Sequence, residues 1–420
     1  MSHQRHSRLL FCLLTFLLIV ANISIAHAQT FTVLHSFTGG SDGGSPYAGV
    51  TLDQAGNLYG TTSLGGAGQC GTVFKLQHRN SAWILSNLYT FHGADGCSPL
   101  TKVVWGPNGA AYSTTVSGGS QNMGTVFELR PPSNICGSIS CSWTETLLYS
   151  FQGAPNAADP SGDPIAFDSN GNLFGTTWTG GGLMCDDDTC GTVYELSPSQ
   201  GGWTETLVWS FPNGGAGFPN GVIVGNDGNL YGTAYLGGNV GVGTIFELSH
   251  NNGWAFTNRY SFTGNPDGSS PYAGVVRDSG GNLYGATGWG GANHAGTVFS
   301  LSSGGNFSLL MSLTNPGQGG VFIGPGPAGK VMIDSAGNLY GTTYADGAYG
   351  LGSIFKLTRS GNGYTLTTLH DFTGGSDGAY PISDVVMDSA GNLYGTSSGT
   401  INSQNCLRGT SCGVVWEITP

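Results

Sequence analysis

The sequence predicts an all-β protein, a seven-bladed β-propeller whose blades are four-stranded antiparallel sheets. Three observations carry this prediction. A motif returns seven times along the chain, each copy contains four strand-like segments, and the two chain ends supply complementary parts of one blade. Short strands that recur in groups of four, with a pitch of roughly 40 residues or more, are typical of propeller blades.

The recurring motif is Asp-x-x-Gly-Asn-Leu-Tyr-Gly-Thr-Thr, which first occupies residues 53–62. The glycine of its turn is Gly56, and equivalent glycines follow at Gly109, Gly171, Gly228, Gly281, Gly337 and Gly391. In such a turn the Asp side chain accepts hydrogen bonds from backbone N–H groups, and Gly adopts a positive φ. The motif therefore predicts a hairpin between the first and second strands of every blade.

The third and fourth strands have signatures of their own. The third begins on Gly-Thr-Val-Phe at Gly71, and its equivalents begin at Gly124, Gly191, Gly243, Gly296, Gly352 and Gly413. The fourth opens on an aromatic residue in all seven copies: Phe31, Trp83, Trp143, Trp203, Trp254, Phe307 and Tyr364. Period-two alternation and β-branched residues favour strands over helices in these segments. We expect the regular aromatic residue to belong to the core.

The chain ends complete one blade between them. Residues 31–37 resemble a fourth strand with no first three before it, and residues 413–418 form a third strand with no fourth after it. We expect the N-terminal strand to join the C-terminal blade, which closes the ring and leaves no open sheet edge. Residues 29–420 are thus predicted to form a single domain.

Two phrases of the repeat resemble a known family. Asp-Ser-Ala-Gly-Asn-Leu-Tyr-Gly-Thr-Thr (334–343) and Gly-Thr-Val-Phe-Glu-Leu (124–129) are similar to the GloVer repeat of the choice-of-anchor tandem repeat proteins, which are bacterial exported or surface proteins. The resemblance covers nearly the whole chain after residue 28. It implies export, and it brings no catalytic residues and no ligand. The turn-plus-strand phrase alone is also similar to NHL-type and lactonase-like propellers.

Residues 1–28 have the features of a signal peptide. Arg5 and Arg8 precede an apolar run at 9–20, and Ala-His-Ala at 26–28 offers a cleavage site. The apolar run is too short to cross a bilayer comfortably, and no second run approaches that length. We expect an exported protein, extracellular or periplasmic, without membrane insertion or an anchoring tail.

The charge and composition exclude several partners. The formal net charge is −12, and only 9% of residues are charged. An acidic chain of this kind lacks the basic patches with which proteins bind nucleic acids. Abundant Gly together with many aromatic residues indicates short strands and tight turns rather than disorder. We expect a monomer that requires no cofactor, with Ca²⁺ as the one open possibility.

Eight cysteines follow the leader, an even number that predicts disulfides in an exported protein. Three pairs are close in sequence, and the fourth is what remains: Cys136–Cys141, Cys185–Cys190, Cys406–Cys412 and Cys70–Cys97. In an up-and-down blade, the loops after strands two and four emerge on the same face. Cys70 follows strand two and Cys97 follows strand four of the same blade, so this strand parity places both cysteines on one face and allows them to pair.

Acidic loops are candidates for a metal site. Asp-Gly-x-x-Pro follows the fourth strand in four copies, at Asp42, Asp95, Asp267 and Asp377. Carboxylates that ring one channel mouth could hold Ca²⁺, which takes six to eight oxygen ligands. The alternative, which the turn statistics favour, is that Asp-Gly forms a turn and Pro begins a strand. The run Asp186–Asp188 allows the same two interpretations, cation binding or a solvated loop.

Large aromatic residues in the loops after strand two are candidates for ligand binding. They occupy equivalent or adjacent positions: Trp178, Tyr235, Trp289 and Tyr344. Exposed aromatic faces among amides and hydroxyls are typical of sugar-stacking surfaces. The alternative is that these rings pack between adjacent blades.

These features lead to three competing functions. The first is an exported non-catalytic binding or scaffold protein, with a polysaccharide or cell-envelope glycan as the leading ligand. The second is a propeller hydrolase, lyase or lactonase that uses acidic residues at the channel mouth. The third is a purely structural surface protein. The histidines occupy unrelated repeat positions, and no nucleophile elbow precedes a helix, so the sequence offers no catalytic residues.

Overall fold

The computed structural model describes residues 29–132, 143–160, 162–182, 184–185, 188–212, 216–314, 324–361, 363–399 and 412–420. The described chain forms seven antiparallel blade sheets, six of four strands and one of five because the first strand of blade 3 is divided into two segments, and the predicted seven-bladed β-propeller is confirmed. The predicted leader, the Cys136–Cys141 pair, Asp186, Asp187 and Cys406 lie outside the described residues, as do the side chains of Cys185 and Asp188.

The strands run outward from the axis in each blade. Strand β1 (Thr30–Ser36) precedes blade 1, which contains β2 (Thr51–Leu52), β3 (Leu58–Thr62), β4 (Thr72–Arg79) and β5 (Ala82–Thr90). Blade 2 contains β6 (Val104–Trp105), β7 (Ala111–Thr115), β8 (Thr125–Arg130) and β9 (Thr144–Ser150). Blade 3 contains β10 (Ala157–Pro160), β11 (Ala166–Phe167), β12 (Leu173–Gly180), β15 (Thr192–Ser199) and β16 (Gly202–Ser210), with a small hairpin of β13 (Met184–Cys185) and β14 (Asp188–Thr189).

The remaining blades follow the same order. Blade 4 contains β17 (Gly217–Val224), β18 (Leu230–Leu236), β19 (Thr244–Ser249), a 3₁₀ turn (His250–Asn252) and β20 (Ala255–Ser261). Blade 5 contains β21 (Val276–Arg277), β22 (Leu283–Thr287), β23 (Thr297–Leu301) and β24 (Phe307–Ser312). Blade 6 contains β25 (Met332–Ile333), β26 (Leu339–Thr343), β27 (Ser353–Ser360) and β28 (Gly363–Asp371). Blade 7 contains β29 (Val386–Met387), β30 (Leu393–Ser397) and β31 (Val414–Thr419).

The N-terminal strand closes the ring as the sequence predicts. Strand β1 pairs antiparallel with β31, with Phe31 opposite Ile418 and Val33 opposite Trp416. Phe31 stacks on His370 of blade 6 at a centroid distance of 3.7 Å, so β1 also forms the contact between blades 6 and 7. Phe37, just beyond the strand, is buried against Phe74 of blade 1. The chain start therefore links three blades.

The repeated motif has a direct structural explanation. Asp53 Oδ1 accepts hydrogen bonds from the backbone N–H groups of Ala55 and Asn57, both at 2.9 Å, and Asp53 Oδ2 accepts from the Asn57 amide and the Tyr59 hydroxyl. The same four bonds form around Asp334 and Asp388. The Asp therefore holds both the turn and the Tyr that follows it.

The Gly-Thr-Thr portion connects strands and blades. Gly60 faces Phe74 on the neighbouring strand, and a Cβ on Gly60 would lie 2.5 Å from Phe74 Cζ. This glycine is therefore needed for space, since a side chain here would collide with the ring. The first Thr reaches the next blade: Thr61 Oγ1 donates to the Thr101 carbonyl at 3.1 Å, and Thr342 Oγ1 to that of Ser383 at 2.7 Å.

Adjacent blades also meet through their fourth strands at the outer rim. Tyr260 of blade 4 stacks on Phe307 of blade 5 at a centroid distance of 3.9 Å. Phe307 lies opposite Leu301, and the equivalent Leu129 in blade 2 lies opposite Glu145. The expected equivalence of Phe307 with Trp143 is therefore wrong by two residues.

Between blades 1 and 2, the Glu145 carboxyl contacts the Tyr89 hydroxyl. Tyr89 also donates to Asp95 at 2.6 Å. Burial, reinforced by the negative charge of Asp95, raises the pKa of Glu145 to about 7.

This carboxyl predicts a pH dependence of stability. Its pKa in the folded protein is higher than the ordinary value of 4.5, so the folded state binds the proton more tightly than the unfolded chain. Stability should therefore fall as the pH rises from 5 to 8, because ionisation leaves a charge in the contact between blades 1 and 2. We expect Glu145→Gln to melt close to wild type at pH 5 and at a higher temperature than wild type at pH 8. Parallel melting curves across that range would contradict the assignment.

The predicted disulfide between Cys70 and Cys97 is confirmed, with a Cα–Cα distance of 4.4 Å. It joins the loop after strand two of blade 1 to the loop after strand four, and these loops therefore share one face, as the parity argument requires. Cys190 and Cys412 are also disulfide-bonded. A disulfide is consistent with the predicted export. In the described part of the chain, no helix has the length and apolar character needed to cross a membrane.

Candidate functional site

The loops that enter the blades turn sharply toward the axis. Each contains a proline, and in six of the seven loops the residue before it has a φ of 53–55°: Ser45, Ser98, Asp159, Phe218, Ser270 and Tyr380. The proline packs on the glycine that opens strand three of the preceding blade; a Cβ on Gly71, for example, would lie 2.9 Å from Pro99 Cδ. The residues after each proline therefore run from the face into the central channel.

A cavity of about 370 Å³ occupies this channel mouth, and all seven blades contribute to its lining. We call it the axial pit. Since the chain enters from the face, the residue directly after each loop proline lies near the opening, and the third residue lies deeper. The pit has two layers that differ in chemistry, an upper one that is aromatic and apolar and a lower one that is charged.

The upper layer, here called the collar, contains Tyr47, Trp178 and Tyr272 together with Leu100 and Ile382. The Trp178 and Tyr272 rings are nearly perpendicular with centroids 6.1 Å apart. Trp178 Nε1 donates to Asn220 Oδ1 at 3.3 Å, which orients the indole. Burial beside Tyr272 raises the pKa of Tyr47 well above its ordinary value, so its hydroxyl stays protonated.

The lower layer, here called the floor, consists of Lys102, Asp163, Lys330 and Asp384. Each is the third residue after its loop proline. Lys330 Nζ lies 2.8 Å from Asp163 Oδ2, and Lys102 forms an ion pair with Asp384. The four side chains are only 9–19% exposed. Two positive and two negative charges therefore meet, largely shielded from solvent, at the bottom of the pit.

Glycines make room for these pairs to span the axis. A Cβ on Gly49 would lie 2.2 Å from Asp384 Oδ1, and a Cβ on Gly274 would lie 2.2 Å from Asp163 Oδ2. The Asp384 side chain thus lies over blade 1 to reach Lys102 in blade 2. Asp163 of blade 3 lies over blade 5, where the Gly274 N–H donates to it at 2.8 Å, and reaches Lys330 in blade 6.

The two carboxylates of the floor are largely buried. Burial raises the pKa of Asp163 above its usual range, although Lys330 acts in the opposite direction, and the nearby charge of Asp384 adds to the increase. Titratable groups perturbed by burial and by specific charged partners within a cleft are concentrated at functional sites. The axial pit therefore combines a cavity, oriented aromatic rings and perturbed ionisable groups.

The four aromatic residues singled out in the sequence have different environments, and all are half-buried. Trp178 lines the pit. The Tyr235 ring lies 6.2 Å from that of Tyr272, at the edge of the collar. Tyr344 stacks on Tyr380 at 5.0 Å. Trp289 is not part of the pit lining. Ligand binding by these four residues stays a prediction. Of the four, Trp178 lines the pit and Tyr235 lies at its edge.

The four loop aspartates lie in separate turns. Asp42 and Asp377 each accept hydrogen bonds from a threonine N–H and hydroxyl and pair with a histidine. Asp95 accepts from Tyr89 and the His92 N–H, and Asp267 from Tyr260 and Thr263. Within the described ranges, no group of three or more His, Cys, Asp or Glu side chains is arranged to hold a metal ion. Calcium binding by these residues stays a prediction.

Sequence reasoning missed the floor and most of the collar. A signal was available: when the copies are aligned on the loop proline, the third residue after it is Gly in two blades and charged in four. The charged residues at this position are the floor residues, and two of the chain's four lysines are among them. Such a break in a regular repeat is expected where a site is built.

Comparison with known proteins identifies a matching family model and solved structures with a similar fold. The family model described as the Gloeobacter/Verrucomicrobia repeat matches residues 21–142 and 138–323. No curated protein matches the chain.

Among solved structures, a periplasmic gluconolactonase from Pseudomonas aeruginosa is 15% identical, with 77% of this chain and 84% of that chain covered and a TM-score of 0.50. A puromycin-hydrolyzing peptidase from Mycobacterium tuberculosis is 10% identical, with coverage of 85% and 50% and a TM-score of 0.48. A gluconolactonase from Xanthomonas campestris is 15% identical, with coverage of 75% and 86% and a TM-score of 0.42. At these identities the likeness concerns the fold alone.

Proposed function

This chain belongs to the Gloeobacter/Verrucomicrobia repeat family, and we propose that it is an exported, non-catalytic carbohydrate-binding protein that holds its ligand in the axial pit. The observation that carries the proposal is the aromatic collar above a polar floor. The C–H faces of a sugar ring pack on aromatic side chains, and its hydroxyls need fixed hydrogen-bond donors and acceptors. The pit supplies both within one cavity.

The size and position of the pit also support a small ligand. A volume of about 370 Å³ lies in the lower part of the range for small-molecule sites. It suits one or two sugar rings rather than a long polymer segment or a protein surface. Asn220 and Thr101 are also part of the lining, where both side chains are hydrogen-bonded within the protein.

A second candidate is a propeller hydrolase or lactonase with acidic residues at the channel mouth. The raised pKa of Asp163, in a pit that also holds Asp384, favours it. Against it, the lysine partners already engage both carboxylates, so neither is free to act as a general base without breaking an ion pair. Release of a shortened or hydrolysed product from a bound sugar would establish catalysis in place of simple binding.

The test uses two tryptophans at adjacent repeat positions, since Trp289 aligns with Thr179, one residue after Trp178. Binding of wild type, Trp178→Ala and Trp289→Ala is measured on a panel of soluble plant, microbial and cell-envelope polysaccharides by affinity electrophoresis. We expect Trp178→Ala to weaken binding about five-fold or more, since stacking on an aromatic ring contributes on the order of 1 kcal/mol. Trp289 does not line the pit, so Trp289→Ala should bind as wild type does.

Melting temperatures of both variants show whether they are folded. The proposal fails if wild type binds no member of the panel, or if the two variants weaken binding equally while both remain folded.

A further inference from the structure

We propose that the axial pit recognises the terminal residue of a neutral glycan, held edge-down so that neighbouring hydroxyls meet the Lys–Asp pairs of the floor. This inference rests on the carbohydrate-binding function proposed above and adds the ligand class and the mode of binding. It is carried by the arrangement of the four floor side chains.

End-on binding follows from the shape of the site. The ion pairs Lys102–Asp384 and Lys330–Asp163 lie across the axis beneath the collar, so the cavity is bounded below by side chains. We expect a ligand to enter from the face that carries the loop prolines, because the collar lies on that side of the described lining. A sugar ring that stacks against Trp178 at the side of the pit presents one edge to the floor and its linkage to the opening. An internal residue of a polymer has linkages on both sides and cannot enter in this way.

The floor matches the hydrogen-bonding pattern of adjacent hydroxyls. Each hydroxyl both donates and accepts, and a Lys–Asp pair places a donor beside an acceptor. Two such pairs face the cavity. Each pair can therefore donate a hydrogen bond to one sugar hydroxyl and accept a hydrogen bond from the neighbouring hydroxyl. Hydrogen bonds to charged groups are shorter and stronger than those between neutral groups, and the limited exposure of the floor protects them from water.

The charge balance selects a neutral ligand. The two lysines and two aspartates of the floor cancel, and Asp159 in the lining adds one further acidic group, itself hydrogen-bonded to Thr179. An anionic sugar would bring its charge next to three carboxylates, in a protein whose net charge is −12. A cationic sugar would find both floor aspartates already paired with Lys102 and Lys330, and Asp159 already hydrogen-bonded. Either charged ligand would also lose its hydration shell in a site whose floor charges are already paired with each other.

The experiment is a calorimetric titration of the full-length protein with methyl glycosides of glucose, galactose, mannose and N-acetylglucosamine. Sodium glucuronate and glucosamine hydrochloride serve as charged probes. We expect at least one neutral glycoside to bind and to displace the polysaccharide found in the panel. The charged probes should bind at least ten-fold more weakly than that glycoside. Asp384→Asn should reduce its affinity about ten-fold or more, as expected for the loss of a hydrogen bond to a charged group.

The matched control is Asp227→Asn. Asp227 also forms an ion pair, with Arg277 at 3.1 Å, but it lies outside the pit, and its replacement should leave affinity unchanged. If Asp384→Asn does not fold, the double variant Lys102→Met with Asp384→Asn removes both charges, and the same loss is expected.

The outcomes separate the two proposals. If the polysaccharide binds through Trp178 but no glycoside competes, or if charged and neutral probes bind equally, end-on recognition of a neutral residue is wrong and the carbohydrate-binding function stands. If no carbohydrate binds, both fail.

Discussion

Removal of residues 29–38 should lower the free energy of unfolding by about 5 kcal/mol or more, because this segment supplies the fourth strand of blade 7. Phe37 is fully buried, which contributes roughly 1.5–3 kcal/mol, and the partly buried Phe31 and Val33 add to this by packing on the core of blade 7. The deletion also exposes the outer edge of β31, which then pairs only with β30. Urea unfolding monitored by tryptophan fluorescence measures the loss.

Two controls distinguish ring closure from a general effect of truncation. Phe37→Ala keeps the strand and should cost about 3–5 kcal/mol, less than the deletion. A synthetic peptide of residues 29–38, added to the truncated protein, should restore part of the lost stability in a concentration-dependent way. A truncated protein that unfolds at the same urea concentration as the intact chain would show that β1 does not close the ring.

Phe355→Ala should destabilise the protein by about 3–5 kcal/mol, the usual cost of truncating a fully buried aromatic side chain. Its neighbour across the strand pair is Gly341, which has no side chain to fill the space. Conversely, Gly341→Val should destabilise by overpacking, since a Cβ at this position would lie 2.7 Å from Phe355 Cζ.

The double variant tests the pairing directly. Because the larger side chain introduced by Gly341→Val would occupy space that the Phe355 ring vacates, Gly341→Val with Phe355→Ala should be at least about 1 kcal/mol more stable than the sum of the single effects. Strict additivity would contradict the proposed role of the Leu-Tyr-Gly and Val-Phe motifs as partners.

The fold could be predicted from sequence because its determinants are local and repeated. Asp53, Gly60 and Phe74 lie within one blade, and each returns at the same place in other blades, so the pattern exposes their roles. Ring closure was predictable for a related reason, since the two ends visibly lack complementary strands. The Cys70–Cys97 bond was predicted because the other cysteines form close sequence pairs and because strand parity places these two on one face.

The site depends on contacts that no local pattern contains. Lys102 and Asp384 are 282 residues apart and meet only because the ring closes. Trp178 and Trp289 both follow strand two of their blades, but Trp289 aligns with Thr179, one residue after Trp178, and of the two only Trp178 lines the pit. The sequence analysis grouped the four aromatic residues, although an offset of one residue separates Trp289 from Trp178, Tyr235 and Tyr344.

A crystal structure of the protein with a bound oligosaccharide from the panel tests the central claim most directly. We expect the terminal sugar residue in the axial pit, its ring against Trp178 and its hydroxyls within hydrogen-bonding distance of the Lys102–Asp384 and Lys330–Asp163 pairs. A sugar bound at Trp289, or on the outer edges of the blades with the pit empty, would contradict the account.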